Sequence, residues 1–264
     1  MDHLARGLAS GAMVGLVLGL IGGGGSILAV PLLIYLVGVT STHVAIGTSS
    51  VAVAASAAIN LALHARHGTV KWGCALLFAL SGIAGAWAGS SFGKAIDGQR
   101  LLALFGAIMI VIGFLMLVRR TGAGKHDVRL DVSSVHYLAP RLIGAGLGAG
   151  AVSGFFGIGG GFLIVPSLMF ATDMPLLAAI GSSLVAVTVF GMTTAINYAA
   201  SGLVDWALAG VFVTGGALGG GVGAKLAVAW APRRRLLNGA FAVLVTSVGI
   251  YIVLRGTGVI SPPR

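Results

Sequence analysis

The chain alternates between long apolar stretches and short polar connectors. Apolar runs lie near residues 8–22, 26–39, 44–63, 72–93 and 101–118, and again near 141–157, 161–172, 176–199, 206–227 and 236–254. A helix needs about 20 apolar residues to cross the hydrocarbon core of a bilayer. Helices are expected because an open strand in lipid would leave backbone groups unpaired. The runs at 26–39 and 161–172 are too short to span as straight helices. Each follows a glycine cluster and carries a proline, Pro31 or Pro166. Each is therefore either a half-helix ending inside the protein or a tilted helix broken at the glycines. The pattern predicts an all-α polytopic membrane protein with about eight full transmembrane helices plus two glycine-broken short helices.

The order of these runs repeats. GGGGSILAVP from Gly22 to Pro31 matches GIGGGFLIVP from Gly157 to Pro166 at six of ten positions. AIGTSSVAVA from Ala45 matches AIGSSLVAVT from Ala179 at seven of ten. Gly68, Val70 and Trp72 correspond to Gly202, Val204 and Trp206, and Phe105 and Gly113 to Phe241 and Gly249, at offsets of 134 to 136 residues throughout. Conserved order at a constant offset marks a duplicated unit. The expected division is a first transmembrane repeat over 1–118, a polar linker over 119–140 and a second repeat over 141–264. The N-terminal run resembles a signal peptide, with Arg6 ahead of apolar residues. Its recurrence in mid-chain argues against a cleaved leader.

Composition changes this picture little. Apolar residues make up 57% of the chain and charged residues 8%, with mean hydropathy +1.04. Soluble domains are about one-quarter charged, so little is left for one here. The formal charge of +10 comes from Lys and Arg in the connectors, such as Arg119, Arg120, Lys125 and Arg129, or Arg233, Arg234 and Arg235. That is the signature of cytoplasmic loops rather than of nucleic-acid binding. If the short runs cross, the halves are inverted and Lys plus Arg divide 11 to 5 between the two sides. If they do not cross, the division is 10 to 6. Charge alone does not choose between these. Cys74 is the single cysteine, so no internal disulfide forms.

Glycine-interrupted segments at matching places in two halves are the sequence pointer to a transporter's binding site. Breaking a helix in the membrane frees N–H groups, and a restarting helix aims them and its positive dipole end at the break. Gly24, Gly25 and Ser26, with Gly159, Gly160 and Gly161, are thus expected to approach an anion. The hydroxyls of Thr48, Ser49 and Ser50, and of Ser182 and Ser183, can donate to anion oxygens without a buried charge. The same hydroxyls can equally bond their own helix or a neighbouring one. Asn60 and Asn197 lie deeper in the same spans, as substrate ligands or as ties between helices. Their positions do not align, since Asn60 falls opposite Thr194.

Other groups are weaker candidates. His64 and His67 have a spacing that could hold a metal, but the other half has Tyr198 and Ser201 there, and a membrane-edge location fits better. Gly215, Gly219 and Gly223, like Gly85 and Gly89, recur every four residues as helix-packing contacts. Asp97, Asp173 and Asp205 fall in connectors, which argues against a carboxylate proton relay. Lys225 lies near a span end, where it can snorkel. No phosphate-loop lysine, zinc spacing or nucleophile–base pair is visible, so no cofactor, metal or catalytic residue is expected.

GIGGGFLIVP, the AIG(T/S)S stretch after it and the G-x-V-x-W turn resemble the TauE/SafE family of sulfite exporters, also called the toluene-sulfonate uptake permeases. The resemblance spans nearly the whole chain. It implies a permease of the bacterial inner membrane, in a family whose members handle, or are proposed to handle, sulfite, sulfonates, sulfoacetate and other organic anions. One departure is Ser26, opposite Gly161, which makes the half-sites unequal. The expected function is secondary transport of small sulfur-containing anions. An anion channel and a non-transporting membrane scaffold are the alternatives. The expected partners are a small anionic substrate and the lipid bilayer, with homo-oligomerisation left open.

Overall fold

The computed structural model describes residues 2–118, 135–157, 161–229 and 234–256. These form ten helical segments, with no strand among the described residues. Helix α1 is Asp2–Ile21. The next segment, α2 (22–37), is composite: a 3-10 helix over Gly22–Leu28, one α-turn over Ala29–Pro31 and a π-helix over Leu32–Val37. Then follow α3 (Thr42–Arg66), α4 (Trp72–Ala95) and α5 (Gly98–Val118). The second half holds α6 (Val135–Phe156), α7 (Gly161–Thr172), α8 (Leu176–Ala199), α9 (Trp206–Ala229) and α10 (Arg234–Gly256). Every predicted run is a helix. Helix α6 begins at Val135, inside the stretch read as linker.

Six of these helices are long and apolar enough to cross a membrane: α1, α3, α4, α5, α8 and α9. The exterior agrees with lipid contact. Phe170 is 77% exposed, Phe92 and Leu218 are each 70% exposed, and Phe114 and Leu80 each 62%. Large apolar side chains in such numbers on the outside suit hydrocarbon, not water. Trp72 and Trp206 open α4 and α9 and are exposed. There their rings fit the headgroup level.

The packing crosses between the halves. Helix α1 packs on α9, α4 on α6, α5 on α10, and α3 on α8, while α4 also meets α8 and α3 meets α9. Counting the helices of each half from one to five, exchange of the halves maps this set of pairs onto itself. Thus α1–α9 becomes α6–α4, and α3–α9 becomes α8–α4. The small-residue seams give the directions. Gly11 lies against Phe212, Gly15 against Gly216 and Gly19 against Gly220, so α1 and α9 run parallel. Gly146, Gly150 and Gly154 meet Phe78, Gly82 and Ala86, so α6 and α4 are parallel as well. By contrast, Gly47 meets Tyr198 while Gly191 meets Ala54, and Gly106 meets Gly249 while Gly113 meets Ala242. Helices α3 and α8 are therefore antiparallel, and so are α5 and α10. The glycines at 215, 219, 223, 85 and 89 each sit where a methyl group would overlap the backbone of the partner helix, as their spacing predicts.

Direction settles the course of the broken segments. Helix α3 runs parallel to α9: Thr48 meets Asp205, Ser56 meets Gly216 and Asn60 meets Gly220. Since α1 also parallels α9, α1 and α3 point the same way, and the chain between Ile21 and Thr42 must return to the starting side. Likewise α4 parallels α8, with Gly82 against Phe190 and Ser90 bonded to Asn197. Helices α6 and α8 thus share a direction, and α7 brings the chain back between them. The 3-10 stretch of α2 makes the return reachable, because it rises about 2.0 Å per residue against about 1.5 Å in an α-helix. Pro31 lacks an N–H and is followed by the π-turns. Gly38, at φ 91°, ends them with its N–H on Leu33 O at 3.1 Å.

Candidate functional site

Segments α2 and α7 pack against each other in the interior, and α8 also touches the glycine stretch of α2. The two glycine breaks do not lie side by side. Gly157, where α6 stops, sits against Ile46 and Ser50 near the start of α3. The end of α1 sits near the other end of α3, where Gly19 faces His64. From Ser50 to His64 is roughly 20 Å along an α-helix. Each break therefore lies towards one face of the molecule, and α2 and α7 run past each other between them.

The hydroxyls predicted to meet substrate are engaged with backbone. Ser50 Oγ donates to Gly157 O at 2.8 Å and approaches Ile46 O at 2.8 Å, and Ser49 Oγ donates to Ile46 O at 2.9 Å and lies 3.4 Å from Gly157 O. This pair holds the last carbonyl before the break of the other half. Thr48 Oγ1 accepts from Asp205 N at 2.9 Å, and Ser182 Oγ accepts from Lys71 N at 2.9 Å. These are matching ties, one in each half, from a buried helix to the connector after the opposite helix. Ser183 donates to Ile180 O at 2.8 Å. Ser26 is fully buried. Gly24 lies in the 3-10 stretch and Gly161 opens α7. A methyl at Gly25 would overlap the backbone of Leu18, so this glycine lets α2 fold back along α1. Gly159 and Gly160 lie outside the described residues.

The two asparagines differ. Asn60 Nδ2 donates to Ser56 O at 2.9 Å, and its Oδ1 is buried with no partner among the described residues. Asn197 Nδ2 donates to Ser90 and Ser91 Oγ at 2.6 and 2.9 Å. Its Oδ1 accepts from Lys94 Nζ at 2.5 Å, and Lys94 also donates to Ser201 Oγ at 2.8 Å and to Asn197 O. Asn197 thus ties α4 to α8, as one of its two readings proposed. Lys94 is the polar residue that the sequence reading passed over. It is an amine in the last turn of α4 that binds the C-terminal end of α8, where the helix dipole favours a cation. Its position at a span end was the available signal. His64 is buried and His67 exposed; His64 Nδ1 contacts Thr69 Oγ1, and His67 Nδ1 contacts Leu63 O. No group of three or more His, Cys, Asp or Glu side chains able to hold a metal occurs among the described residues.

An apolar exterior, helices long enough to span a bilayer and broken helices packed at the centre define a multi-pass membrane protein. The family model described as "Sulfite exporter TauE/SafE" matches residues 7–252, and the chain belongs to that family of membrane transporters. It is 52% identical over 94% of its length to a "Probable membrane transporter protein" of Xylella fastidiosa (strain 9a5c), again over 94% of that protein. It is 29% identical to the "Probable membrane transporter protein YunE" of Bacillus subtilis, over 82% of this chain and 85% of that one. No solved structure matches.

Proposed function

We propose that the protein is a secondary transporter of small sulfur-containing anions, such as sulfite or organosulfonates, in the bacterial inner membrane. Substrate is bound where the glycine-broken segments α2 and α7 pass each other. The observation that carries this reading is the crossing of two interrupted helices at equivalent places in two antiparallel halves. Such helices offer backbone N–H groups to an anion inside the protein. The surrounding donors are neutral, so they can replace part of an oxyanion's hydration without a buried cation of their own. An anion that reaches the Gly157 break competes with that carbonyl for the hydroxyls of Ser49 and Ser50, whose bonds to it hold the break in the present conformation. In reconstituted vesicles, internal methanesulfonate or sulfite should drive saturable counterflow of labelled external anion. Glucose and potassium should not. Flux that never saturates and shows no counterflow would identify a channel instead.

The two halves are, in this proposal, inverted repeats of five crossings each. Connectivity then places Arg66, Lys71, Arg141, Lys225 and the basic residues of both intervening connectors on one side, eleven in all, against Arg6, Lys94, Arg100, Arg255 and Arg264 on the other. The basic side is cytoplasmic. Both chain ends therefore lie outside the cytoplasm and the connector between the halves lies within it. With Cys74 replaced by Ala, a membrane-impermeant maleimide should label Ser261→Cys in intact spheroplasts and leave Gly124→Cys unlabelled. The reverse pattern would refute this orientation.

A further inference from the structure

Seven buried side-chain polar atoms have no partner among the described residues; besides those of Ser10, His43 and Ser153 they are Asn60 Oδ1 and His64 Nε2 on α3, and Thr194 Oγ1 and Tyr198 OH on α8. The four on α3 and α8 are two matched pairs. Asn60 corresponds to Thr194 and His64 to Tyr198, each at an offset of 134 residues. Within each pair the residues are four apart, on one face of their helix. Asn60 and Tyr198 are fully buried, and His64 is 7% exposed. Unmet polar atoms are rare in a low-dielectric interior. Because α3 and α8 are antiparallel, with Tyr198 against Gly47 near the start of α3, the two pairs lie towards opposite faces of the molecule.

His64 is the one member of the four that changes charge near neutral pH. Thr69 Oγ1 lies 3.0 Å from His64 O and 3.2 Å from His64 Nδ1, so the hydroxyl and the imidazole Nδ1 share one hydrogen-bonded contact. The ring's other nitrogen, Nε2, is buried without a side-chain partner among the described residues. Beside the ring lies the carbonyl of Gly19, in the last turn of α1 and three residues before the first glycine of the break. In the imidazolium both ring nitrogens are donors, so protonation secures a donor towards that carbonyl while Nδ1 keeps its contact with Thr69. The charge of His67, in the same turn of α3, acts on the ring; Arg66 lies beside His67, Lys71 is in the following connector, Lys225 is near the end of α9, and Asp173 is in the connector before α8 on the same side. Beyond Asp2, helices α1, α2, α3, α8 and α9 carry no carboxylate, and an anion held at the break would balance an imidazolium.

We propose that His64 is the proton-binding residue that couples the proton gradient to anion movement, with proton and anion carried in the same direction. The proton adds to Nε2 from water and leaves to water on the opposite side; no other bond changes. Proton and anion stabilise each other's binding, and that coupling is reciprocal. Tyr198, the counterpart in the other half, stays neutral, so one half carries the coupling charge. This inference rests on the transport reading above.

The test uses methanesulfonate, which remains an anion at every relevant pH, in vesicles that contain an internal pH dye. The native protein should concentrate methanesulfonate when the outside is acidic and acidify the lumen as it does so. His64→Asn keeps a polar group where Nδ1 stands but binds no proton. It should lose at least tenfold of the gradient-driven accumulation, and its exchange rate should lose the pH dependence that the native protein shows. His64→Gln, which mimics the other ring nitrogen, should behave alike. A folded variant that still accumulates on a pH gradient overturns the coupling role. So does native protein whose methanesulfonate uptake moves no protons, a measurement that stands even if neither variant folds. Native protein with no counterflow of methanesulfonate or sulfite overturns the transport reading itself, and the coupling role with it.

Discussion

Gly15→Val will spread α1 from α9 and destabilise the fold, whereas Gly144→Val will be tolerated. A methyl at Gly15 overlaps the carbonyl and Cα of Gly216, while a methyl at Gly144 meets nothing within 4 Å. The obstruction is backbone, so no rotamer change relieves it. The seam extends over Gly11, Gly15 and Gly19 on one side and Gly215, Gly216, Gly219, Gly220 and Gly223 on the other. Spreading it at one point loosens all of it. Helices in lipid associate through such contact rather than through a hydrophobic drive. Overpacking costs about 1–3 kcal/mol where side chains can yield, and a backbone clash sits at or above the top of that range. For a chain of this size the melting temperature in detergent should fall by roughly 5–10 °C. A Gly15→Val protein that melts with the native one would show that the seam is looser than described.

The second large effect is expected at the break itself. Gly157 has φ 65°, and a methyl there would overlap Ile46 Cγ2 and lie 3.4 Å from Ser50 Oγ. Gly202 has φ 69° and nothing within 4 Å. The two glycines share the left-handed strain that alanine would feel, which is about 1 kcal/mol, so Gly202→Ala reports strain alone. Gly157→Ala adds displacement of Ile46 and of the serine bonds that hold the carbonyl. Methanesulfonate counterflow should fall at least tenfold in Gly157→Ala and no more than about twofold in Gly202→Ala, with both normalised to folded protein. Equal behaviour of the two would mean that the Ser49–Ser50 clasp on Gly157 has no part in transport.

Much of the architecture is legible in the chain because lipid makes helix position a matter of apolar run length. The limits of α7 and α8 coincide with their runs, and those of α4 and α9 differ by two residues at one end. The course of α2 was not legible. Its 3-10 and π turns alter the rise per residue, and apolar periodicity carries no signal for rise. Helix partners were hidden too: a duplicated sequence suggests that each half packs on itself, yet α1 reaches across to α9. The candidate site was read less well than the fold. A serine in an apolar run shows that a hydroxyl is present, not what accepts its proton. Thr48 and Ser182 therefore look like substrate donors in sequence and are seen holding connectors. Gly25 looks like an approach for an anion and lies flush against α1. His64 looks like a residue of the membrane edge, and only the fold reveals its buried ring beside the end of α1.

The exchanged seams also set the order in which the molecule can be assembled. Roughly 200 residues separate the glycine face of α1 from its partner on α9, and synthesis at about 5–20 residues per second puts about 10–40 seconds between them. For that interval α1 stands in the bilayer with a bare small-residue face and no mate. Helix α4 waits less, because α6 follows one helix later. The first half therefore cannot reach its final form by itself. Its first helix must await α9 and its fifth must await α10, so the first half closes only when the last two helices of the second have been made.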